Sequence, residues 1–398
     1  MGILRLFLIV ILVVLSAIFT VQQDQPCFLP DGKQMSTCIR LHYCNQFQQL
    51  IRQYSGRPPM DVVQNINAHV CASGGFVCCP DNAIVATPTT TTPRPLPPAE
   101  LTKVSPAAAA ELPQKTNLQT IKNHPNLKLI NEPTCGTSNT NRIVGGVDAD
   151  LNEIPYAALL GYQLLDSLNW QCGGSLISKK FVLTAAHCIT RELSLVRLGE
   201  HKISTIRDCD EFNSCADPVQ DIKIERIIKH TKYKAANKLN DIALLKLVSP
   251  ADTTKNNVKT ICLPTTEDAD IDKLKALQRK FTIFGWGRIG EGDRTADVLQ
   301  KAYLPYVDNQ DCAIKFQAIP QPIYSTYLCA GGFNKTDSCK GDSGGGITSL
   351  AIIDRKPKIV LYGVVSFGIE CSRKDIILPG VYTNIAYYLD WILDNMSP

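Results

Sequence analysis

Gly341-Asp342-Ser343-Gly344-Gly345 says more about the fold of this chain than any other segment, once two earlier segments are considered with it. These are Thr184-Ala185-Ala186-His187-Cys188 and Asp241-Ile242-Ala243-Leu244-Leu245. A serine hydroxyl is a poor nucleophile until a base removes its proton, and histidine is that base when a carboxylate holds its tautomer. The three segments therefore supply the parts of an activated serine, in the order His, Asp, Ser.

The order of these segments excludes two other serine hydrolase folds. The serine segment also fits the G-x-S-x-G pattern of α/β-hydrolases, in which the histidine follows the serine. None of the six histidines follows Ser343. The subtilisin order needs an aspartate segment before His187, and no comparable motif surrounds Asp148, Asp150 or Asp166.

Residues 143–398 resemble the chymotrypsin-fold (S1) serine peptidases over their whole span. The resemblance implies His187 as general base and then acid, Asp241 as the residue that holds the imidazole, and Ser343 as the nucleophile. It also implies an oxyanion hole formed by the backbone N–H groups of Gly341 and Ser343. Catalysis by such a site needs no cofactor.

The hydrophobic pattern after Ile143 predicts a mostly β domain, because short apolar runs alternate with turns. The clearest runs are Phe181–Thr184, Ile242–Leu247, Phe281–Phe284 and Val360–Phe367. The resemblance implies a double antiparallel β-barrel of the chymotrypsin type. At the end of the chain, helical spacing predicts a packed C-terminal helix that contains Tyr388, Trp391, Ile392 and Met396.

Asn141-Arg142-Ile143-Val144-Gly145-Gly146 predicts an activation site at the start of this region. Cleavage after Arg142 would free an α-amino group on Ile143, and the resemblance implies that this amine pairs with Asp342. Removing one partner of a buried ion pair costs about 3–5 kcal/mol, so the uncut chain would lack an ordered oxyanion hole. We expect a zymogen whose upstream activator is a trypsin-like protease. The alternative is a chance arginine in a linker.

Asp337, six residues before Ser343, occupies the floor of the specificity pocket by resemblance. Gly368 and Gly380 would form the pocket walls, and Ser366 is assigned to substrate binding with them. A carboxylate at the bottom of a narrow pocket favours a basic side chain, so we expect cleavage after Arg or Lys. The alternative is a solvated loop aspartate.

Three positions depart from the family pattern. Gly346 stands where many relatives have proline, and Phe367 replaces the more usual tryptophan but still offers an apolar wall. Glu370 stands near the pocket rim, where trypsin-like relatives usually carry glycine. Its carboxylate would either favour a second basic substrate residue or crowd the pocket.

The N-terminus predicts secretion. Arg5 precedes an apolar run over Leu6–Phe19, which at 14 residues is shorter than the roughly 20 needed to span a bilayer. We assign residues 1–23 to a signal peptide, with a membrane anchor as the alternative. No later stretch predicts a membrane span. The formal net charge is only +4 over 398 residues without a basic run, so nucleic acid is not an implied partner.

Sixteen cysteines behind a signal peptide predict disulfides. Six lie within residues 27–79, and six cysteines allow 15 pairings. The adjacent Cys78-Cys79 pair that closes this segment resembles the small, disulfide-rich CLIP domain of arthropod proteases. That resemblance implies the pairs Cys27–Cys78, Cys38–Cys71 and Cys44–Cys79. A zinc site is the alternative, disfavoured by the oxidising compartment and by the lack of Cys-His spacing.

The S1 resemblance also implies the remaining disulfides. Cys135 would bond Cys262 and so tether the N-terminal part of the chain after activation. Two cysteines left over are close enough in sequence to staple one surface loop. The expected pairs are Cys135–Cys262, Cys172–Cys188, Cys209–Cys215, Cys312–Cys329 and Cys339–Cys371.

Residues 80–142 are assigned to a linker and activation segment. Its Thr/Pro-rich part, 87–98, has the composition of an extended and O-glycosylated spacer. N-glycosylation is expected at Asn334, in Asn-Lys-Thr, and more weakly at Asn395, in Asn-Met-Ser-Pro.

A further acidic loop follows Glu200 and ends at Cys215. Several carboxylates on a stapled loop suit Ca²⁺, which prefers six to eight oxygen ligands. CLIP proteases of the type described above have such a loop, and the matching positions are Glu200, Lys202 through its carbonyl, Thr205 and Asp208. The alternative is a solvated acidic loop without a metal.

The sequence therefore predicts a secreted, trypsin-like CLIP-domain protease that acts in an extracellular cascade. The Arg142 cleavage site and the Cys209/Cys215 pair resemble the B-type CLIP proteases. The resemblance implies an innate-immune role, with a downstream zymogen or cytokine precursor such as a prophenoloxidase or a Toll-ligand precursor as substrate, and a serpin as inhibitor. The alternative is a catalytically silent homologue that serves as an adaptor, disfavoured because His187, Asp241 and Ser343 are all present.

Overall fold

The chain divides into two compact units, residues 1–97 and 98–398. The computed structural model describes residues 25–28, 35–40, 44, 46–47, 49, 53, 62, 66, 68–72, 76–80, 112–137, 147–165, 167–276, 280–288, 295–317, 322–332, 341–368 and 378–397. Each unit is considered by itself.

The N-terminal unit contains a small antiparallel sheet in the order β1–β2–β4–β3. Its strands are β1 (Gln25–Phe28), β2 (Met35–Arg40), β3 (Val70–Ala72) and β4 (Phe76–Cys79). The buried residues Cys44, Phe47, Val77 and Cys79 form its core, and a disulfide joins Cys44 to Cys79. A unit of this size buries little apolar surface, so covalent cross-links supply the stability that its core lacks.

Six strands of the larger unit form a closed barrel in the order β10–β11–β8–β7–β6–β9. Its centre is filled by apolar side chains that are almost completely buried, among them Leu160, Leu176, Leu183, Val196 and Leu245. The strands are β6 (Ala157–Leu164), β7 (Ser167–Ser178), β8 (Phe181–Thr184), β9 (Leu193–Leu198), β10 (Gln220–Lys229) and β11 (Ala243–Leu247).

An eight-stranded antiparallel sheet, in the order β14–β15–β18–β17–β16–β12–β13–β5, builds the second barrel. Phe281, Tyr362 and Tyr382 are buried in its core. The strands are β5 (Val147–Asp148), β12 (Phe281–Gly285), β13 (Gln300–Leu304), β14 (Tyr306–Val307), β15 (Tyr327–Ala330), β16 (Gly346–Ile353), β17 (Lys356–Phe367) and β18 (Gly380–Asn384). The prediction of a mostly β, chymotrypsin-type fold is confirmed.

Helices are few and short in the described residues of the larger unit. They are α1 (Leu118–Lys122), α2 (Ile271–Ala276), α3 (Asn309–Phe316) and α4 (Leu389–Asn395). The C-terminal helix α4 lies where its spacing predicted it; Ile392 within it and Met396 directly after it are fully buried. No helix among the described residues is both long and apolar enough to cross a membrane.

Residues 112–137, which the sequence assigned to the linker, are part of the larger unit. Ile121 and Ile130 are 1% and 3% exposed and belong to the same core as the first barrel. His124 Nε2 lies 3.0 Å from the Asp394 carboxylate, and Asn126 Nδ2 donates to the Leu393 carbonyl at 2.9 Å. This segment therefore packs along the C-terminal helix, because its apolar residues find a buried partner surface there.

Candidate active site

Strand register brings the histidine and aspartate segments together. Strands β8 and β11 pair antiparallel, with Ala243 opposite Thr184. The residue that follows β8 and the residue that precedes β11 therefore lie at the same end of the barrel. His187 stands in a short 3-10 turn after β8, and Asp241 stands two residues before β11.

The Asp241 carboxylate is fully buried and saturated with hydrogen-bond donors. Its Oδ2 lies 2.7 Å from His187 Nδ1, and its Oδ1 accepts the backbone N–H of His187 at 2.9 Å. The Ser366 hydroxyl donates to Oδ2 at 2.5 Å, and the Thr383 hydroxyl donates to the Asp241 carbonyl at 2.8 Å. A carboxylate held in this way fixes the ring with its proton on Nδ1, which leaves Nε2 as the base.

The serine segment forms a tight turn that requires glycine. Gly341 and Gly344 have φ angles of 110° and 78°, in the region that side chains disfavour. A Cβ on Gly341 would lie 2.8 Å from the Gly287 Cα, and a Cβ on Gly344 would lie 2.3 Å from the Thr184 hydroxyl. The backbone N–H of Gly173 donates to the Ser343 carbonyl at 2.8 Å. The turn is therefore pressed against the strands that lead to the histidine.

Asp342 is the expected partner of a new amino terminus. Its carboxylate occupies space that is open because residues 285 and 287 are glycines. Its Oδ1 accepts the Gly287 N–H at 2.8 Å. A Cβ on Gly285 would lie 2.2 Å from that oxygen, and a Cβ on Gly287 would lie 2.5 Å from the carboxylate carbon. The expected cleavage site, Arg142–Ile143, lies outside the described residues.

The specificity pocket is described in part. Gly368 follows the end of β17, and Gly380 begins β18, the neighbouring strand. Asp337 and Glu370 lie outside the described residues. The Ser366 side chain is 4% exposed and donates to Asp241, and the assignment of this residue to substrate binding stays a prediction. The sequence carried no signal for the bond to Asp241, which depends on the position of β17 beside the aspartate.

Two of the positions that depart from the family pattern, 346 and 367, lie among the described residues. Gly346 is buried, and a Cβ there would lie 2.5 Å from Leu361 Cδ1 and 2.7 Å from Ser175 Oγ. Neighbouring side chains thus occupy the space that a larger residue would need. Phe367 packs edge-on against Tyr327, with ring centroids 5.5 Å apart, and its role as an apolar wall of the pocket stays a prediction.

The residues of the expected calcium loop lie together. Glu200 and Asp208 are buried and both accept the backbone N–H of His201, at 2.9 and 3.1 Å. Thr205 Oγ1 lies within hydrogen-bond distance of both the Asp208 carboxylate and the Lys202 carbonyl. A disulfide between Cys209 and Cys215 closes the loop.

The loop brings two buried carboxylates close together, with Arg197 beside one of them. Burial, together with the negative charge of Asp208, raises the pKa of Glu200 despite a 3.1 Å hydrogen bond from Arg197. Two buried carboxylates, a carbonyl and a hydroxyl form an all-oxygen donor set, which is the type that Ca²⁺ prefers. The residues present therefore fit a calcium ion.

Five disulfides are present among the described residues: Cys44–Cys79, Cys135–Cys262, Cys172–Cys188, Cys209–Cys215 and Cys312–Cys329. Cys78 is also disulfide-bonded. The side chains of Cys27, Cys38 and Cys71, together with Cys339 and Cys371, lie outside the described parts. Of the two glycosylation positions, Asn334 lies outside them as well. The amide nitrogen of Asn395 donates to the Trp391 carbonyl at 2.8 Å, a bond that a glycan would alter.

Comparisons with known proteins agree with this geometry. A sequence model of the trypsin family matches residues 143–392. Phenoloxidase-activating factor 3 of Holotrichia diomphalia is 31% identical over 398 residues, 98% of each chain. CLIP domain-containing serine protease B9 of Anopheles gambiae is 35% identical over 393 residues, 94% of each. The crystal structure of the Drosophila Grass clip serine protease of the Toll pathway superimposes with a TM-score of 0.59 at 31% identity, covering 94% of this chain and 98% of that one.

Proposed function

This chain belongs to the trypsin family of serine proteases and, within it, to the CLIP-domain proteases, and we propose on that basis that it is a secreted zymogen which, once cleaved, cuts protein substrates after Arg or Lys. The single observation that carries the catalytic part of the proposal is the buried Asp241 carboxylate, 2.7 Å from His187 Nδ1. It fixes the imidazole tautomer that a serine nucleophile requires.

The reaction is acyl transfer in two stages. His187 Nε2 removes the proton of the Ser343 hydroxyl as Oγ attacks the scissile carbonyl carbon. The backbone N–H groups of Gly341 and Ser343 stabilise the oxyanion, and His187 returns the proton to the leaving amine as the C–N bond breaks. Water then attacks the acyl–serine ester with the same base, which releases the new carboxyl terminus and restores the hydroxyl.

Two variants test this mechanism against the alternative of a silent adaptor. Losing the serine or histidine of a comparable triad lowers turnover by on the order of 10⁶, so Ser343→Ala should abolish hydrolysis of an Arg-ending peptide by the cleaved protein. Asp241→Asn should lower kcat strongly, since the same change in a comparable triad costs about 10⁴ in kcat through the wrong tautomer. Equal activity of wild type and Ser343→Ala would indicate a contaminating protease, and absence of activity in the cleaved wild type would favour the adaptor.

Activation is proposed to follow cleavage after Arg142. The glycines at 285 and 287 clear the surroundings of Asp342, as a carboxylate that receives a buried amine requires. The purified zymogen should gain activity on treatment with a trypsin-like protease, and its new terminus should begin with Ile143. Arg142→Gln should stay inactive under the same treatment. Full activity of that uncleaved variant would contradict the proposal.

Preference for Arg or Lys is proposed to come from Asp337. A Cβ on Gly368 would lie 3.9 Å from the Gly380 Cα, so space remains between these two positions, as a pocket for a long side chain requires. Peptides ending in Arg, Phe and Ala, which differ only at that residue, would measure the preference. Asp337→Ser should remove the advantage of the Arg peptide, whereas an unchanged preference would contradict the assignment.

We also propose that Glu200, Asp208, Thr205 and the Lys202 carbonyl hold a structural calcium ion. Ca²⁺ that binds only the folded state raises the melting temperature. Addition of calcium to chelated protein should therefore raise it in wild type but not in Glu200→Gln. A melting temperature that is insensitive to chelator would count against the metal.

The pathway is proposed from the relatives. Their names refer to phenoloxidase activation and to the Toll pathway. We place this chain in a similar extracellular cascade, with a trypsin-like activator upstream, a zymogen or cytokine precursor downstream, and a serpin as inhibitor. Incubating the cleaved protein with candidate precursors, beside Ser343→Ala, would identify the substrate by its new amino terminus.

A further inference from the structure

A cationic loop lies beside the catalytic aspartate. From Arg226 to Asn240 the chain contains four lysines, one arginine and one histidine, but no aspartate or glutamate. The four lysines run from the last residue of β10 towards Asp241, at positions 229, 232, 234 and 238. The loop over 229–238, here called the lysine loop, is thus an unusually basic segment in a chain whose total charge is close to balanced.

The lysine loop is held in a defined conformation. Asn240 Nδ2 donates to the Lys232 carbonyl at 2.9 Å, and the Lys234 N–H donates to the Leu239 carbonyl at 3.0 Å. The Asn237 side chain accepts the Leu239 N–H at 3.2 Å. Because the backbone is fixed by these bonds, the positions from which the lysine side chains extend are fixed as well.

Two parts of the loop interact with residues of the site, the middle through Tyr233 and the C-terminal end through Asn237. Burial and the negative charge of Asp241 raise the pKa of Tyr233 to about 12, and Lys229 Nζ lies 4.7 Å above the Tyr233 ring. At the C-terminal end of the loop, the Tyr327 hydroxyl donates to the Asn237 carbonyl at 2.8 Å. Tyr327 in turn packs against Phe367, which precedes Gly368 at the pocket.

Two of these lysines have charges that the described part of the protein does not neutralise. Neither Lys232 nor Lys238 has an ion-pair partner among the described residues, whereas other lysines such as Lys246 and Lys255 are paired with carboxylates. Lys232 is exposed and Lys238 is half-buried. Two such cations near a cleft attract anionic groups of an approaching chain.

We propose that Lys232 and Lys238 select substrates that carry an aspartate or glutamate shortly before the cleaved bond. The inference rests on the proposed cleavage after Arg or Lys. The residue in the specificity pocket immediately precedes the cleaved bond, so the substrate continues from the pocket wall in the amino-terminal direction. The lysine loop adjoins that wall through Tyr327 and Phe367, which places its charges near this part of the substrate.

The test compares peptides that end in the same Arg and differ by one isosteric change. Aspartate or asparagine is placed two, three or four residues before the cleaved bond, and kcat/KM is measured for each pair. At one of these positions the cleaved wild type should prefer aspartate by about two- to tenfold, the range expected of one or two exposed charge pairs. The preference should approach one at 1 M salt, where the screening length falls to about 3 Å.

In the double variant Lys232→Gln/Lys238→Gln, kcat/KM for the aspartate peptide should fall to that of the matching asparagine peptide. Lys223→Gln is the matched control, since Lys223 is exposed on β10 and lies six residues, or roughly 20 Å, along the strand from Lys229. It should keep the wild-type ratio. Should the double variant melt early, Lys238→Glu serves instead and should reverse the preference, so that the asparagine peptide is cleaved faster than its aspartate partner.

Three results would overturn the inference: no preference in wild type, a preference for asparagine over aspartate, or an aspartate preference that survives in the double variant. Failure of the proposed function has a different signature, because then the asparagine peptides themselves would not be cleaved after Arg.

Discussion

Replacement of Ser366 by alanine tests whether the hydrogen bonds around Asp241 serve catalysis. The lost bond is a 2.5 Å donation from a buried hydroxyl to a buried carboxylate oxygen, the one that also lies 2.7 Å from His187 Nδ1. Hydrogen bonds to charged groups contribute about 1.5–3 kcal/mol. Since about 1.4 kcal/mol corresponds to a factor of ten in rate, we expect kcat/KM for an Arg-ending peptide to fall roughly ten- to 100-fold.

Thr383→Val is the matched control for this variant. It removes a 2.8 Å bond to the backbone carbonyl of Asp241 and leaves the carboxylate untouched. We expect it to lower the melting temperature with a smaller effect on kcat/KM. A Ser366→Ala enzyme with kcat/KM within twofold of wild type would refute the reasoning, and so would equal losses of kcat/KM in the two variants.

Three further predictions follow from packing, charge and covalent structure. Ile121→Ala, which removes side-chain atoms from a buried site, should lower the free energy of unfolding by about 2–5 kcal/mol in chemical denaturation, and no change would contradict its place in the core. Because the pKa of Glu200 is raised above its ordinary value of 4.5, its contribution to stability is present below that value and is lost as pH rises through the folded-state pKa. In chelated protein the free energy of unfolding of wild type, relative to that of Glu200→Gln, should therefore fall as the pH rises above 4.5. A difference that stays constant with pH would contradict the assignment. Because Cys135 is bonded to Cys262, the two fragments of the activated protein should run together without reductant and separate with it, and separation without reductant would show the tether to be absent.

The fold was accessible from the sequence because its signals are local. The alternating apolar runs and the helical spacing at the C-terminus each depend on neighbouring residues, and both predicted elements are present. The order of His187, Asp241 and Ser343 then selected one barrel topology among several serine hydrolase folds. These patterns are visible in the sequence before any tertiary contact is known.

What the sequence did not reveal depends on contacts between distant residues. Ser366 bonds a carboxylate 125 positions earlier in the chain, and only the packing of β17 beside Asp241 creates that contact. Burial of the Ile121 side chain depends in the same way on a distant element, the C-terminal helix. The need for glycine at position 346 depends on Leu361 and Ser175, whose side chains occupy the space that a larger residue would require.

The packing of residues 112–137 against the C-terminal helix constrains how the enzyme can be produced. A recombinant catalytic domain that starts at Ile143 would lack this segment, leave Cys262 without its bonding partner, and open to water the apolar surface that Ile121 and Ile130 cover. Such a truncated protein would be prone to aggregation and to disulfide-linked dimers. Expression designs should therefore begin upstream of residue 112 and introduce the activating cut afterwards.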